Sequence, residues 1–394
     1  MTVYAAVTTG KGSAAIATIQ VFGRESASTI EQIFKPASAN PPALEAGNVL
    51  LGTIVDGSST IDQVTVGCQG PEGVAIHCHG NPLIVEQIAQ LLQRHEAKLV
   101  PGEELLRRIA ESAGNLNAIE IEAKVAQLKA RTVAGTKLIL NQIDFGLRRK
   151  AQDWLDNFDE ISLDEIKGDV LTVVRQSERA RLIIEGCTVI LAGPPNSGKS
   201  TLLNTLAGRE KAIVSHIEGT TRDWVEARCH IGPLEVTLTD TAGLDEVLAS
   251  ESDSEADRDS QKRSSEILER ADLVLLILEN SRGVGQVSPR IISAIEGENV
   301  LVVLNKDDLP TVLEASALPD KLGVPVQVSA KDNKGIHELH RRILEATGTA
   351  KFDLHTPIAF TDRQRQIFSQ LATAESKAEA KALISKLLNE SLSV

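Results

Sequence analysis

The sequence predicts a multidomain α/β chain in which a small α+β domain and a helical segment precede a mostly parallel sheet with helices on both faces. Three observations predict it. Between Leu182 and Thr349, short β-branched runs alternate with helical stretches, and the runs are apolar throughout, as in strands buried on both faces. From Glu103 to Arg181, apolar residues recur three and four apart with charges in the gaps, the pattern of packed helices. Residues 1–102 instead mix short β-type runs with helix and close on Pro101-Gly102. The expected division is 1–102, 103–181, 182–349 and 350–394.

In chain order, Ala14–Val21 and Gly73–His79 read as strands. Pro82–Arg94 reads as a helix with proline in its favoured first turn. Ile119, Ala123, Ala126, Val133, Leu138 and Leu140 mark helical faces, and Asp164–Arg181 repeats the pattern after a break near Ser162. The runs Leu182–Ala192, Leu234–Thr239, Leu273–Leu278, Val300–Leu304 and Val324–Val328 are the expected strands of the parallel sheet. Thr361–Leu392 is rich in Ala, Lys and Glu, reads as helix, and is expected to pack back on the earlier helices. The acidic stretch Asp245–Asp259 reads as a solvated loop.

Composition narrows the function. The 394 residues carry a net charge of −13, with 42% apolar and 24% charged residues, so the chain can build cores of normal size. The net acidity repels nucleic acid at long range, and any such contact needs a local basic patch. Aromatics at 3% exclude an array of base-stacking platforms. No apolar run reaches the ~18 residues of a membrane span, and the N-terminus has no secretory pattern. Cys68, Cys78, Cys187 and Cys229 lack metal-finger spacing, so reduced thiols in a cytoplasmic protein are expected. His77, Cys78 and His79 lie on one run, but strand alternation sends the cysteine to the face opposite the histidines, which argues against a shared metal. Lys129, Arg131, Lys137, Arg148, Arg149 and Lys150 read as a solvated helix face, with a basic stripe for nucleic acid as the alternative.

The chemistry concentrates in four segments. Gly193-Pro194-Pro195-Asn196-Ser197-Gly198-Lys199-Ser200 fits G-x-x-x-x-G-K-[ST] between a strand and the helical stretch Thr201–Ala207. Its glycines let backbone N–H groups wrap a phosphate, and the helix N-terminus adds positive potential. Lys199 is placed to reach the β- and γ-phosphates and Ser200 to ligate Mg²⁺. Asp240-Thr241-Ala242-Gly243 ends the next strong strand; Asp240 can hold Mg²⁺ through water and Gly243 can offer its N–H to a γ-phosphate. Asn305-Lys306-Asp307-Asp308 follows another strand. The Asp308 carboxylate can accept both the ring N–H and the exocyclic amine of guanine, a pair of donors that adenine lacks. Lys306 can lay its stem along the base, and Ser329-Ala330-Lys331 can give a backbone N–H to the guanine carbonyl. Gly219-Thr220-Thr221-Arg222-Asp223 lies between the first two segments, with Thr221 as a second Mg²⁺ ligand in a loop that senses the γ-phosphate. Leu244 follows Gly243, where enzymes of the Ras type use Gln to orient water, so hydrolysis needs another device. Together these predict a P-loop GTPase domain.

The run GPPNSGKSTLLNTLAGREKAIVSHIEGTTRDWVE, with DTAGL, NKDD and SAK, resembles the tRNA uridine-modification GTPases (MnmE, also called TrmE). GKGSAAIATIQVFG, EGVAIHCHGNP and VPGE are similar to that family's amino-terminal domain. The resemblance implies an amino-terminal dimerisation domain that binds a formyl-tetrahydrofolate, a helical domain made of two separated segments, and a GTPase domain inserted between them. It implies a homodimer, hydrolysis helped by K⁺ when two GTPase domains meet, a flavin-dependent partner protein and tRNA as substrate. Asn196 stands at the position of a K⁺ ligand, and Ser215–Thr221, with Ser215, Ile217 and Thr220, matches the segment that supplies the others. The cation would supply the positive charge that an arginine finger gives elsewhere.

The sequence also departs from the family pattern. The family's water-polarising Glu corresponds to Asp257, with Glu255 an equally placed substitute. Gln20 sits where an Arg is usual, and the chain ends Ser391-Leu392-Ser393-Val394 instead of in the family's Cys-Ile-Gly-Lys tail. The alternative expectation is a GTP-regulated switch that has lost the tRNA-modification chemistry.

Overall fold

The computed structural model describes residues 2–10, 12–70, 72–112, 114, 116–208, 225–240, 270–287, 295 and 299–389. The chain divides into two compact units, Met1–Leu128 and Lys129–Val394.

In the first unit, β1 (Tyr4–Val7), β2 (Ile16–Phe22), β3 (Phe34–Pro36), β4 (Val49–Asp56), β5 (Ser59–Gly70), β6 (Gly73–His79) and β7 (Lys98–Leu99) form a sheet in the order β3-β4-β5-β6-β2-β1-β7. All neighbours are antiparallel except β1 and β7. Helices α1 (Ser26–Glu31) and α2 (Pro82–Arg94) supply Ile30, Ile88, Leu91 and Leu92 to a core with Ile19, Val21, Val64, Val66 and Ile76. The α2 start is fixed as its sequence predicts: Pro82 opens the helix and the Asn81 side chain accepts from Leu83 N at 3.0 Å. The β4–β5 hairpin turns at Gly57, whose φ of 59° suits glycine. Helices α3 (Gly102–Ser112) and α4 (Ala118–Ala126) complete the unit, the latter closed by an Asn117–Glu120 capping box.

The second unit opens with α5 (Val133–Asp144), α6 (Leu147–Asp156) and α7 (Leu163–Glu185). Strands β8 (Cys187–Ala192), β9 (Val225–Ile231), β10 (Leu234–Asp240), β11 (Leu273–Glu279), β12 (Val300–Asn305) and β13 (Val326–Gln327) follow. Their order is β13-β12-β11-β8-β10-β9, parallel except for β9 against β10. Helices α8 (Lys199–Ala207) and α9 (Ile336–Ala346) belong to this layer. Every residue of β11 is buried, as the apolar run predicts for a central strand.

The helical segments of this unit are joined through Gln142, whose amide is buried and fully used. Its oxygen accepts from Leu147 N at 2.9 Å and Ile358 N at 3.0 Å, and its nitrogen donates to Leu138 O at 3.0 Å and Thr356 O at 3.1 Å. Ala359 N donates to Ser177 Oγ at 2.8 Å. Helix α10 (Asp362–Thr373) places Phe368 against Trp154 with ring centroids 6.2 Å apart. Helix α11 (Lys377–Asn389) follows a break at Ala374-Glu375-Ser376, so the helical segment expected over Thr361–Leu392 consists of two helices, with 390–392 outside the described residues.

Leu182–Ile184, expected at the head of a strand, is instead the last turn of α7. The Ser162–Glu165 capping box starts that helix and Gly186, with φ 95°, ends it, so the apolar run spans helix and strand. A Cβ on Gly348, beyond α9, would meet Arg179 Nε of α7 at 2.9 Å, so the chain leaves the sheet layer beside the helix that led into it. Arg181 Nη2 lies 2.5 Å from Asp272 Oδ1, and Asp272 Oδ2 accepts from Thr188 N at 2.8 Å. No helix among the described residues is long and apolar enough to cross a membrane.

Candidate nucleotide site

The loop from Gly193 to Lys199 joins the C-terminal end of β8 to α8. Two glycines are required by close approach. A Cβ on Gly193, at φ 148°, would lie 2.1 Å from Ile277 O, and one on Gly198, at φ 93°, would lie 2.3 Å from Asn305 Nδ2. Asn196 also has positive φ, 64°, which asparagine tolerates better than most residues.

Lys199 is 6% exposed, and its ammonium donates to Gly193 O and Pro194 O at 3.1 Å each. Ser197 is fully buried and its Oγ has no hydrogen-bond partner among the described residues. Ser200 Oγ donates to Asp240 Oδ2 at 2.6 Å, while Asp240 Oδ1 is buried without a partner among the described residues. An unsatisfied buried carboxylate oxygen beside a hydroxyl is a donor set for a hard cation, and the loop above it is a cradle that side chains would fill. The residues present fit a phosphate with Mg²⁺.

Across the sheet, Asn305 clamps two loops. Its Nδ2 donates to Ser197 O at 2.9 Å, and its Oδ1 accepts from Ala330 N at 3.1 Å. Ala330 O in turn accepts from Thr205 Oγ1 of α8 at 2.9 Å. Asp308 stands exposed, with Oδ1 accepting from Ser329 Oγ at 2.8 Å; that hydroxyl holds the carboxyl below its ordinary range. Lys306, at φ 65°, sends Nζ to Glu279 Oε2 at 2.9 Å. Lys331 is exposed, and Thr201 lies in the first turn of α8.

The structure thus gathers Gly193, Asn196, Ser197, Gly198, Lys199, Ser200, Thr201, Asp240, Asn305, Lys306, Asp308, Ser329, Ala330 and Lys331 at the C-terminal ends of β8, β10, β12 and β13, where open parallel sheets bind ligands. Ser215, Ile217, Gly219, Thr220, Thr221, Gly243, Glu255 and Asp257 lie outside the described residues. Sequence reasoning missed Thr205, Glu279 and Gln286. The one available signal was a single acid at the end of the apolar run LVLLILE.

Elsewhere, the basic residues proposed as a stripe are partly neutralised: Lys150 pairs with Asp169 at 2.6 Å and Arg131 with Glu235 at 3.4 Å. Cys78 is buried while His79 is exposed; His77 Nδ1 lies 3.0 Å from Thr18 Oγ1 and His79 Nδ1 lies 2.7 Å from Asp62 Oδ1.

Two family models match the chain: GTP-binding protein TrmE N-terminus over residues 2–110, and 50S ribosome-binding GTPase over residues 188–306. The tRNA modification GTPase MnmE of Syntrophomonas wolfei is 31% identical over 379 residues, covering 87% of this chain and 81% of that protein. This chain belongs to the MnmE family. The MnmE of Bacillus subtilis is 30% identical over 381 residues, covering 87% of this chain and 82% of its own length. A solved structure, the G domain of the T. maritima FeoB iron transporter, matches 41% of this chain and 98% of its own at 27% identity, with a TM-score of 0.34. As an MnmE-family protein the chain is a GTPase, hydrolysing GTP to GDP and phosphate.

Proposed function

We propose that the chain is a tRNA-modification GTPase whose nucleotide lies with its phosphates over Gly193–Ser200 and its base against Asp308. The observation that carries this is the pairing of a fitted phosphate cradle with a carboxylate held in its charged form by Ser329 on the neighbouring loop. Lys199 would exchange its two loop carbonyls for phosphate oxygens, and its charge favours the β- and γ-positions. Ser200 and Asp240 would hold Mg²⁺, which neutralises charge on the phosphates when bound. Asp308 selects guanine by accepting two N–H donors. Ala330 N–H is already given to Asn305, so Ser329–Lys331 acts on the base mainly as a wall that Asn305 and Thr205 hold in place.

By resemblance, the active form is a homodimer stimulated by K⁺, with Asn196 among the ligands. The amino-terminal unit takes a formyl-tetrahydrofolate, and a flavin-dependent partner works on the same tRNA. GTP turnover with Mg²⁺ is expected to be at least tenfold faster in K⁺ than in Na⁺ at equal ionic strength, because a bound cation adds charge stabilisation to the transition state. Equal slow rates in both salts would remove the K⁺ mechanism. Mass analysis of wobble uridines in a deletion strain tests the substrate: unmodified wobble positions are expected, and unchanged tRNA would leave a GTP-regulated switch.

A further inference from the structure

Glu279 closes β11, a strand otherwise made of aliphatic residues, and lies in register with Asn305 one residue before Lys306. It is 7% exposed. A carboxylate so placed is unfavourable unless its oxygens are matched by donors. Oε1 is matched by a donor, accepting from Ser281 Oγ at 2.6 Å; Oε2 is buried without a hydrogen bond among the described residues and is balanced instead by two cations, Lys306 Nζ at 2.9 Å and Arg282 Nε at 3.1 Å.

The backbone of Glu279 is held as well. Its N–H donates to Gln286 Oε1 at 2.8 Å, and its carbonyl accepts from Gln286 Nε2 at 2.9 Å. The carboxylate is therefore fixed from two sides, on a rigid central strand. Its partner Lys306 has φ 65°, a conformation that a residue with a Cβ keeps only where its surroundings impose it. Ser281 and then Lys306 also hold the Glu279 carboxyl below its ordinary range, so it is charged at neutral pH.

Resting on the guanine reading of Asp308, we infer that Glu279 is a positioning residue for the nucleotide base: it anchors the Lys306 ammonium, so that the aliphatic stem of Lys306 is a fixed wall of the base site. A lysine stem loses considerable rotamer freedom when a ligand stacks on it. A stem already tethered at its far end has lost that freedom beforehand, so the bound base is held longer. Arg282, on the same oxygen but 54% exposed, offsets the remaining charge from the solvent side.

The test measures release of a fluorescent N-methylanthraniloyl-GDP from the full chain in Mg²⁺, with thermal unfolding followed in parallel. Glu279→Gln keeps the shape and removes the charge; Lys306→Met keeps most of the stem and removes the ammonium. Each is expected to speed release on the order of tenfold, between the effect of breaking an exposed ion pair and that of breaking a buried one. The double variant is expected to be no faster than the faster single one, and Glu279→Asp to recover part of the loss. A preference for GDP over ADP, which Asp308 sets, persists in all of them. A folded Glu279→Gln chain with unchanged release overturns the inference, as does multiplication of the two effects in the double variant. If Glu279→Gln does not fold, Lys306→Met alone decides: unchanged release overturns the inference. Failure of the unsubstituted chain to retain GDP, or equal retention of ADP, overturns the guanine reading itself and the inference with it.

Discussion

Among the described residues the side chain that holds the Asp308 carboxylate is Ser329, and their 2.8 Å bond favours the charged form. Guanine recognition needs that form. Because the Ser329 hydroxyl lowers the carboxyl's pKa, guanine binding is constant above the ordinary carboxylate range, near ~3.9, and declines only as pH falls through the lower value. Ser329→Ala should move that decline upward in pH, as read by GDP titration wherever circular dichroism still reports a native chain. Asp308→Asn goes further, replacing one acceptor oxygen by a donor that faces a donor on the base. Discrimination between GTP and ATP in a competition assay should drop on the order of 100-fold, two charge-assisted bonds being worth about 3 kcal/mol or more. Retained discrimination would place the base elsewhere.

Between elements, the critical tie is Asn305, which joins the β8–α8 loop to the segment after β13 through Ser197 O and Ala330 N. Asn305→Ala leaves both backbone groups without their partner in a buried position. A stability loss of about 2–6 kcal/mol is expected, at 1–3 kcal/mol for each of the two unsatisfied groups, read from urea midpoints. A loss under 0.5 kcal/mol would mean that both groups find other partners. This tie also marks the limit of what sequence reveals. Gly193, Gly198, Lys199 and Asp240 were legible because phosphate chemistry demands those residue types at that spacing. The ends of β6 and α2 were legible because Gly73 and Pro82 punctuate them. Glu279 was not, since its meaning depends on the register of β11 against β12, which no local pattern encodes. Leu182–Ile184 misled because an apolar run has the same composition at the buried end of a helix as in a strand. Strands β4 and β5 escaped notice because polar residues such as Thr53, Asp62, Gln63 and Thr65 interrupt their apolar runs.

For the whole molecule, the four cysteines form a natural pair of reporters. Cys68 and Cys78 are buried in the first unit, and Cys187 and Cys229 in the second. Burial, and after it the charge of Asp272, pushes the Cys187 thiol up to about 12, so it stays protonated and unreactive at neutral pH. Pulsed alkylation along a urea series, read by peptide mass, should show no labelling of the native chain. The thiols should then appear two at a time, one pair per unit, because each unit has its own core. Simultaneous appearance of all four would show that the units melt as one.

Gly348 beside Arg179 has an evolutionary consequence. A stretch of chain that departs from and returns to a helical scaffold at neighbouring points behaves as a cassette. It can be acquired, exchanged or lost in a single genetic event, and the scaffold needs only a short bridge to close the gap. The nucleotide machinery of such a protein can therefore have an ancestry separate from that of the helices that carry it.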